Sequence, residues 1–347
     1  MANRRDPLFL RWLKNQTEKK IVALDISSDM VKLLEINSTT TPFIVENFAT
    51  ASIPANAITK DKIANPAAII TVLKELWKNF GIKTKNIALA IPRSSVIIKN
   101  ISVDSRLNSS EMESRAWIEA SRHFPEMIGE IYLDFAILGP SPLDPAQLDL
   151  ILVACRKDQI NPYIDLLQQS GLHAKVIDVN CYALERALSI IMPPLTTPET
   201  IALLNLNNNL SSLIVRQNNN LIYTQDQSYD GKRLLTQTQK YISALENPEF
   251  TLAEPYSVIL KESLTSHLRH TMHFFYSSRT NVNIQKIIIA GDCATVPHLA
   301  EFIRQEIHIE TIIANPFTDM VFAPTVDQAQ LVQLAPTLTL ACGLTLS

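Results

Sequence analysis

The stretch that decides the fold is Lys20–Ile36, KIVALDISSDMVKLLEI. Ile21–Ile26 is apolar and β-rich and carries one acid, Asp25. Ser27-Ser28-Asp29 is a cluster of turn formers, and the apolar run resumes over Met30–Ile36. This pattern predicts two strands joined by a tight polar turn. Such a hairpin has two readings. It is an ordinary hairpin with a serine-rich turn, or its turn N–H groups face an anion.

Working outward, residues 43–51 read as a third strand. Residues 66–80 read as an amphipathic helix, with Ile69, Ile70, Leu73, Leu76, Trp77 and Phe80 at helical spacing and Gly81 as its stop. Strands are expected over 86–91 and 96–103, then a helix from Ser109 to about Phe124-Pro125 opened by a capping box of Ser110 and Glu113. Further strands fall at 131–138, 148–155 and 175–179, a Pro-rich loop at 139–145, and helices at 157–170 and 181–191. Pro193-Pro194 and Thr196–Pro198 mark a linker. Three more strands follow at 201–206, 211–216 and 221–225, joined by Asn207-Asn208-Asn209 and Asn218-Asn219-Asn220. Asparagine tolerates the left-handed region, so both turns can be tight without glycine. Helices at 232–245 and 256–279, a strand at 284–290, a turn at Gly291-Asp292, a helix at 296–306, a strand at 310–313 and a last helix at 328–346, broken near Pro336, complete the pattern. Each half opens with three strands on tight turns and continues with alternating helices and strands, which is an internal repeat.

Composition bounds the function. A chain of 347 residues is long enough for two domains with large cores. A net charge of −3 argues against a general nucleic-acid binder. No apolar run reaches the roughly 18–20 residues of a membrane span. The opening MANRRDPLFLRWLKNQTEKK has no signal-peptide pattern, so a cytoplasmic protein is expected. That leader sets six basic residues and two acids around Leu8, Phe9, Leu10, Trp12 and Leu13. It either touches a membrane surface or partner, or packs on its own protein. Cys155, Cys181, Cys293 and Cys342 are widely spaced in apolar stretches and read as reduced core residues. His267, His270 and His273 recur at three-residue spacing, which fits a helix edge better than a metal site. Glu111, Glu113 and Glu119 near Arg115 and Arg122 read as helix-surface pairs. Glycine is scarce, seven residues in all, and a glycine-poor chain has few places for backbone to approach phosphate.

Five segments, in family order, carry a resemblance to the PilM family, the actin-like proteins of type IV pilus assembly. They are ALDISSDMVKLLEI (23–36), IYLDFAILGP (131–140) with LILVACRKDQI (150–160), KVIDVNCYALERA (175–187), HFFYSSRTNVNIQKIIIAGDCATVPHL (273–299), and ANPFTDM (314–320) with ACGL (341–344). The resemblance implies an α/β, actin-like fold of the actin/Hsp70/sugar-kinase type, with two lobes around a cleft. After the leader 1–20, lobe 1 would take 21–93, 151–192 and 336–347. A small inserted subdomain over 94–150 would be placed as in FtsA. Lobe 2 would take 199–335, with a helical subdomain near 234–282. The family binds ATP with Mg²⁺. By that resemblance Asp25, Ser27, Ser28 and Lys32 match the first phosphate segment, with Asp25 as the metal organiser. Asn205 and Asn207 fall in the second phosphate segment, Gly291 and Asp292 form the adenosine-side turn, and Asn180 takes the place of a water-polarising Glu or Gln. Gly231-Lys232 is either a plain helix start or a phosphate approach.

Several of these positions depart from the family pattern. Asn205 stands where an Asp is expected, Asn207 where Gly is common, and Gly291-Asp292 replaces Gly-Gly. The segment that lays acidic and Lys residues along adenine is shortened between Leu234 and Leu260. Losing a carboxylate weakens a Mg²⁺ site, a side chain in place of glycine bars close approach of phosphate, and losing a water-positioning group slows hydrolysis. The expectation is a scaffold with a degenerate nucleotide site, leaning away from an enzyme, with no catalytic residue. Its implied partner is the cytoplasmic N-terminal tail of PilN, bound beside the inserted subdomain, with PilO and the motor ATPases reached indirectly at the inner membrane. Trp117, Ile118, Phe124, Ile131 and Leu133 are the wall candidates, or that subdomain's own core. Self-association stays open. The rivals are an ATP-dependent switch of the same fold and an FtsA-like filament; the latter would carry a C-terminal amphipathic tether, and this sequence ends in ACGLTLS.

Overall fold

The structure, a computed structural model, describes residues 20–59, 62–123, 125, 128–192, 199–243 and 254–347. The leader before Lys20, the 193–198 linker and Phe124 therefore lie outside the described residues, as does part of the expected adenine-side segment. The decisive hairpin is β1 (Val22–Ile26) and β2 (Met30–Asn37), followed by β3 (Ile44–Ser52). A two-stranded ribbon, β4 (Ile58–Thr59) and β5 (Lys62–Ile63), leads to α1 (Pro66–Phe80). This helix starts where Asn65 Oδ1 accepts the Ala68 N–H at 3.2 Å and Pro66 occupies the first turn. It ends at Gly81, whose φ of 62° is left-handed, and it buries Ile69, Leu73 and Leu76. β6 (Asn86–Ile91) returns to the sheet beside β1, in parallel.

Next comes a separate layer. β7 (Val96–Asp104), α2 (Ser109–His123), β8 (Ile131–Pro140) and β9 (Gln147–Arg156) form an antiparallel sheet of order β7-β9-β8. Its register sets Ile101, Leu150 and Ile137 opposite one another on one face. That face holds a small core of Val103, Met112 and Leu150, with Ile101, Leu107, Phe135 and Leu148 packed against it. Helix α2 starts at Ser109, as expected, but its cap is a different residue. Asn108 Oδ1 accepts the N–H groups of Ser110 and Glu111 at 3.0 Å each, and Glu111 answers by accepting the Asn108 N–H at 2.8 Å. The capping box is Asn108 with Glu111, not Ser110 with Glu113.

α3 (Lys157–Gln169) and β10 (His173–Val179) complete the first sheet, ordered β10-β6-β1-β2-β3-β16. After α4 (Asn180–Ile191) come β11 (Thr200–Leu206), β12 (Leu210–Gln217), β13 (Asn220–Ser228), α5 (Gly231–Ser243), α6 (Glu254–Ser278), β14 (Lys286–Ala290), α7 (Leu299–Ile307) and β15 (Glu310–Ile313). The chain closes with β16 (Val321–Phe322), α8 (Gln328–Leu334) and α9 (Thr339–Thr345), the last two separated by a 3-10 turn at Ala335–Leu338 that contains Pro336. The second sheet runs β13-β12-β11-β14-β15, antiparallel over its first three strands and parallel beyond. Both sheets thus share one topology: three consecutive strands side by side, then a fourth and a fifth added in parallel beside the first. The repeat read from the sequence is real.

By Cα proximity the chain divides into two compact units, Met1–Leu33 with Ala49–Tyr182 and Ser347, and Leu34–Phe48 with Ala183–Leu346. The second has its own core, with Leu204, Leu206, Leu213 and Ile289 of the sheet against Leu260, Leu264, Leu268 and Phe275 of α6. The two asparagine turns differ. Asn218 and Asn219 take φ of 49° and 65°, while none of Asn207–Asn209 has a positive φ. All four cysteines are buried and free; burial pushes the Cys155 and Cys342 thiols up to about 12. Among the described residues, no helix is long and apolar enough to cross a membrane.

Candidate functional site

The first turn closes on itself. The Ser27 N–H donates to Met30 O at 2.9 Å, and Asp29 O accepts the Ile53 N–H at 2.8 Å. The Ser27 hydroxyl lies 3.1 Å from Met30 O and 3.5 Å from Asp29 Oδ1, and the Ser28 hydroxyl lies 3.4 Å from the same carboxylate oxygen. The groups that would face a phosphate therefore face Asp29, which carries the charge sign of a phosphate. The signal for Asp29 in the sequence is an acid directly after two turn serines.

Behind the turn, Lys32 on β2 is 1% exposed. Its Nζ stands 3.5 Å from Asp25 Oδ2 on β1, both side chains nearly removed from water. A lysine is seldom buried to this degree without an anionic partner.

The second cluster lies wholly within the second unit. Asn205, at the end of β11, is buried, and the turn after it closes through the Asn207 N–H to Leu210 O at 2.9 Å. Asn207 Oδ1 accepts the Asp292 N–H at 3.2 Å. Gly291, with φ of 89°, donates its N–H to Pro336 O at 2.9 Å. A β-carbon on Gly291 would meet Leu206 O at 2.5 Å, Asn207 Oδ1 at 2.6 Å and Asn205 Oδ1 at 2.8 Å. Gly231 begins α5 against the Asn207 carbonyl, with Cys293 Sγ 3.8 Å from Gly231 O. The next N–H, of Lys232, is taken by Asn208 O at 3.1 Å, and the Lys232 side chain is exposed. The structure brings Asn205, Asn207, Gly231, Gly291 and Asp292 together, and each close approach is to the chain's own backbone, carboxamides or the Cys293 sulfur.

Asn180, the first residue of α4, accepts the Arg93 N–H at 2.9 Å through Oδ1 and is buried. That bond is a structural tie. Of the wall candidates, Trp117 and Ile118 on α2 are 37% and 46% exposed. The helix turns Met112, Ala116 and Ala120 inward, so these two side chains lie away from its buried stripe. Leu133 is half-buried. Ile131 is 4% exposed and belongs to the subdomain's interior, because strand alternation turns it inward. Further along α6, His267 packs its ring 4.6 Å from that of Tyr229, while His270 and His273 are exposed. Among the described residues, no group of three or more His, Cys, Asp or Glu is placed to hold a metal.

Mg²⁺ needs several hard oxygen ligands, some of them anionic. The residues here do not fit it: Asp25 is paired to a buried ammonium, and Asn205 offers a neutral carboxamide already pressed on the Gly291 turn.

Comparison with solved structures gives the same fold. The chain is similar to a solved PilM-PilN type IV pilus biogenesis complex at 22% identity, over 94% of this chain and 97% of that one, with a TM-score of 0.73. It is also similar to the ethanolamine utilization protein EutJ from Carboxydothermus hydrogenoformans at 10% identity, over 96% of this chain and 91% of that one, with a TM-score of 0.51. The twice-repeated sheet and these likenesses make the fold actin-like α/β. The family model described as type IV pilus assembly protein PilM matches residues 23–347, and the chain belongs to that family.

Proposed function

We propose that this chain is a cytoplasmic scaffold of the type IV pilus assembly platform. It takes up the N-terminal tail of PilN, links the inner-membrane components to the motor ATPases, with PilO and those ATPases as indirect partners, and does so without hydrolysing ATP. Family membership over nearly the whole chain carries this reading. Two features support its finer parts. Trp117 and Ile118 offer apolar surface on a subdomain that has its own core, so they are spare for a partner. An extended tail with apolar residues seated on Trp117, Ile118 and Leu133 is a recurrent recognition mode. The closed turns at Ser27–Asp29 and Asn207–Gly291 support a nucleotide site that is weak or absent.

Calorimetric titration with a PilN N-terminal peptide, with and without Mg-ATP, tests it. Peptide binding that is indifferent to ATP is expected. Trp117→Ala should weaken it about tenfold, or roughly 1.4 kcal/mol, if the indole is an anchor. Failure of the peptide to bind removes the docking reading. ATP binding that shifts peptide affinity restores the switch, since such coupling is reciprocal.

A further inference from the structure

We infer that Lys32 is the resident cation of the first turn and takes the charge role that a divalent metal has at a strand-end aspartate. The inference rests on the reading that the nucleotide site is degenerate, and deepens it. Three observations carry it. The Lys32 ammonium sits 3.5 Å from Asp25 Oδ2 with its side chain 2% exposed, so Asp25 meets its counter-charge from within the fold. The turn in front of the pair is stocked with an internal anion, since both serine hydroxyls lie against Asp29 Oδ1. Among the described residues, no cluster of acids or histidines offers a competing metal site. A divalent ion placed at Asp25 would stand beside a buried positive charge in a medium of low dielectric, where like-charge repulsion is strong. Lys32 and Asp29 thus supply, inside one hairpin, the cation and the anion that a metal–phosphate pair would bring.

The chemistry predicts an exchange of cation for cation. Lys32→Met keeps the apolar stem and removes the charge, leaving the Asp25 carboxylate without it. Thermal melting of the full chain, with millimolar Mg²⁺ or with EDTA, reads the result. The native protein should melt at the same temperature in both. Lys32→Met should melt about 5–10 °C lower, as expected when one member of a buried pair is removed, and should regain part of that loss in Mg²⁺. A spin-relaxation titration with Mn²⁺ should show binding to Lys32→Met and none at this site in the native protein.

Mg²⁺-dependent stabilisation of the native protein that Asp25→Asn abolishes would overturn the inference. So would an unchanged melt of Lys32→Met, or a lowered melt with no response to divalent ions. Should Lys32→Met fail to fold, the neutral double variant Asp25→Asn, Lys32→Met decides. Recovery of folding supports the charge pairing, and no recovery refutes it. ATP binding in EDTA would defeat the degenerate-site reading while leaving this inference standing; ATP binding only with Mg²⁺ would defeat both.

Discussion

Three glycines separate the two reasons for keeping glycine, and substituting each by alanine tests whether the second cluster is closed. Gly81 has φ of 62° and nothing within 4 Å of an added β-carbon. Gly81→Ala therefore carries only the left-handed penalty, about 1–2 kcal/mol, reduced by about 0.4–1 kcal/mol for the stiffer unfolded chain. Gly231 shows the reverse case: its φ is not positive, yet a β-carbon would overlap the Asn207 carbonyl and come within 2.7 Å of Cys293 Sγ. Overpacking of that kind costs about 1–3 kcal/mol. Gly291 has both burdens, with φ of 89° and three oxygens at 2.5–2.8 Å. Gly291→Ala should lose about 2–5 kcal/mol as the two penalties add. Urea denaturation followed by far-UV circular dichroism is the assay. Among the described residues the tryptophans, Trp77 and Trp117, fall in the first unit and would miss a local loss in the second. Midpoints and slopes are both needed, because two units need not unfold as one. The expected order of loss is Gly81→Ala, then Gly231→Ala, then Gly291→Ala. If the last two cost no more than the first, the turn has room, and the argument that the chain fills its own phosphate approach fails.

Other outcomes are equally definite. Arg216 is buried and donates to Ser189 Oγ at 3.0 Å and to Met192 O at 2.7 Å; Arg216→Met should cost about 2–4 kcal/mol in urea melts with little change on adding salt, because the site is dry. Burial, and then the nearby His270, push the His267 pKa from 6.5 down to about 4. The folded value lies below the unfolded one, so the unfolded chain binds the proton first, and stability should fall as pH drops from about 6.5 to about 4 and be flat above. His267→Phe should flatten that slope in pH-dependent melts. Restoring the family residues with Asn205→Asp and Asn207→Gly should not create ATP binding by calorimetry, and should cost about 1 kcal/mol for the lost bond to the Asp292 N–H. Micromolar ATP affinity in that variant would show that two residues alone had silenced the site.

The architecture was legible because its signals are local. Alternating apolar runs and helical spacing placed both three-strand sets and nearly every helix, and showed that the set occurs twice; the strand order of each sheet is seen only in the structure. What was not legible depends on partners far along the chain. Asn207 read as a turn residue that excludes phosphate; that its carboxamide reaches the Asp292 N–H, 85 residues on, needs β11 and β14 to be neighbours. Lys32 read as a phosphate-facing residue, yet Val31–Ile36 is buried at every position because β2 is an interior strand of its sheet. The capping box of α2 is ambiguous in the sequence because Asn108 and Ser110 are both good caps with a Glu three residues on. Only the hydrogen bonds decide between them.

The scarcity of glycine has a structural meaning that bears on function. Among the described residues, positive-φ positions are shared by asparagine at Asn56, Asn218 and Asn219, histidine at His298 and His308, and glycine at Gly81, Gly139, Gly171 and Gly291. Three glycines, Gly231, Gly291 and Gly343, have backbone so close that a β-carbon would overlap it. At Gly343 that neighbour is the Ala183 carbonyl, so α9 lies directly on α4, and the Arg186 Nε bond to Gly343 O at 3.1 Å fastens the same contact. At Gly231 and Gly291 the neighbours are the carbonyls of Asn207 and Leu206. A nucleotide-binding turn reserves such close approach for phosphate oxygens. Here carbonyl oxygens of the same chain lie that close to Gly231 and Gly291, and they belong to β11 and its turn. Opening the site would thus mean moving a sheet end, not swinging a side chain. On the proposed scaffold reading, rigidity at this turn suits a platform that presents one surface unchanged to a partner.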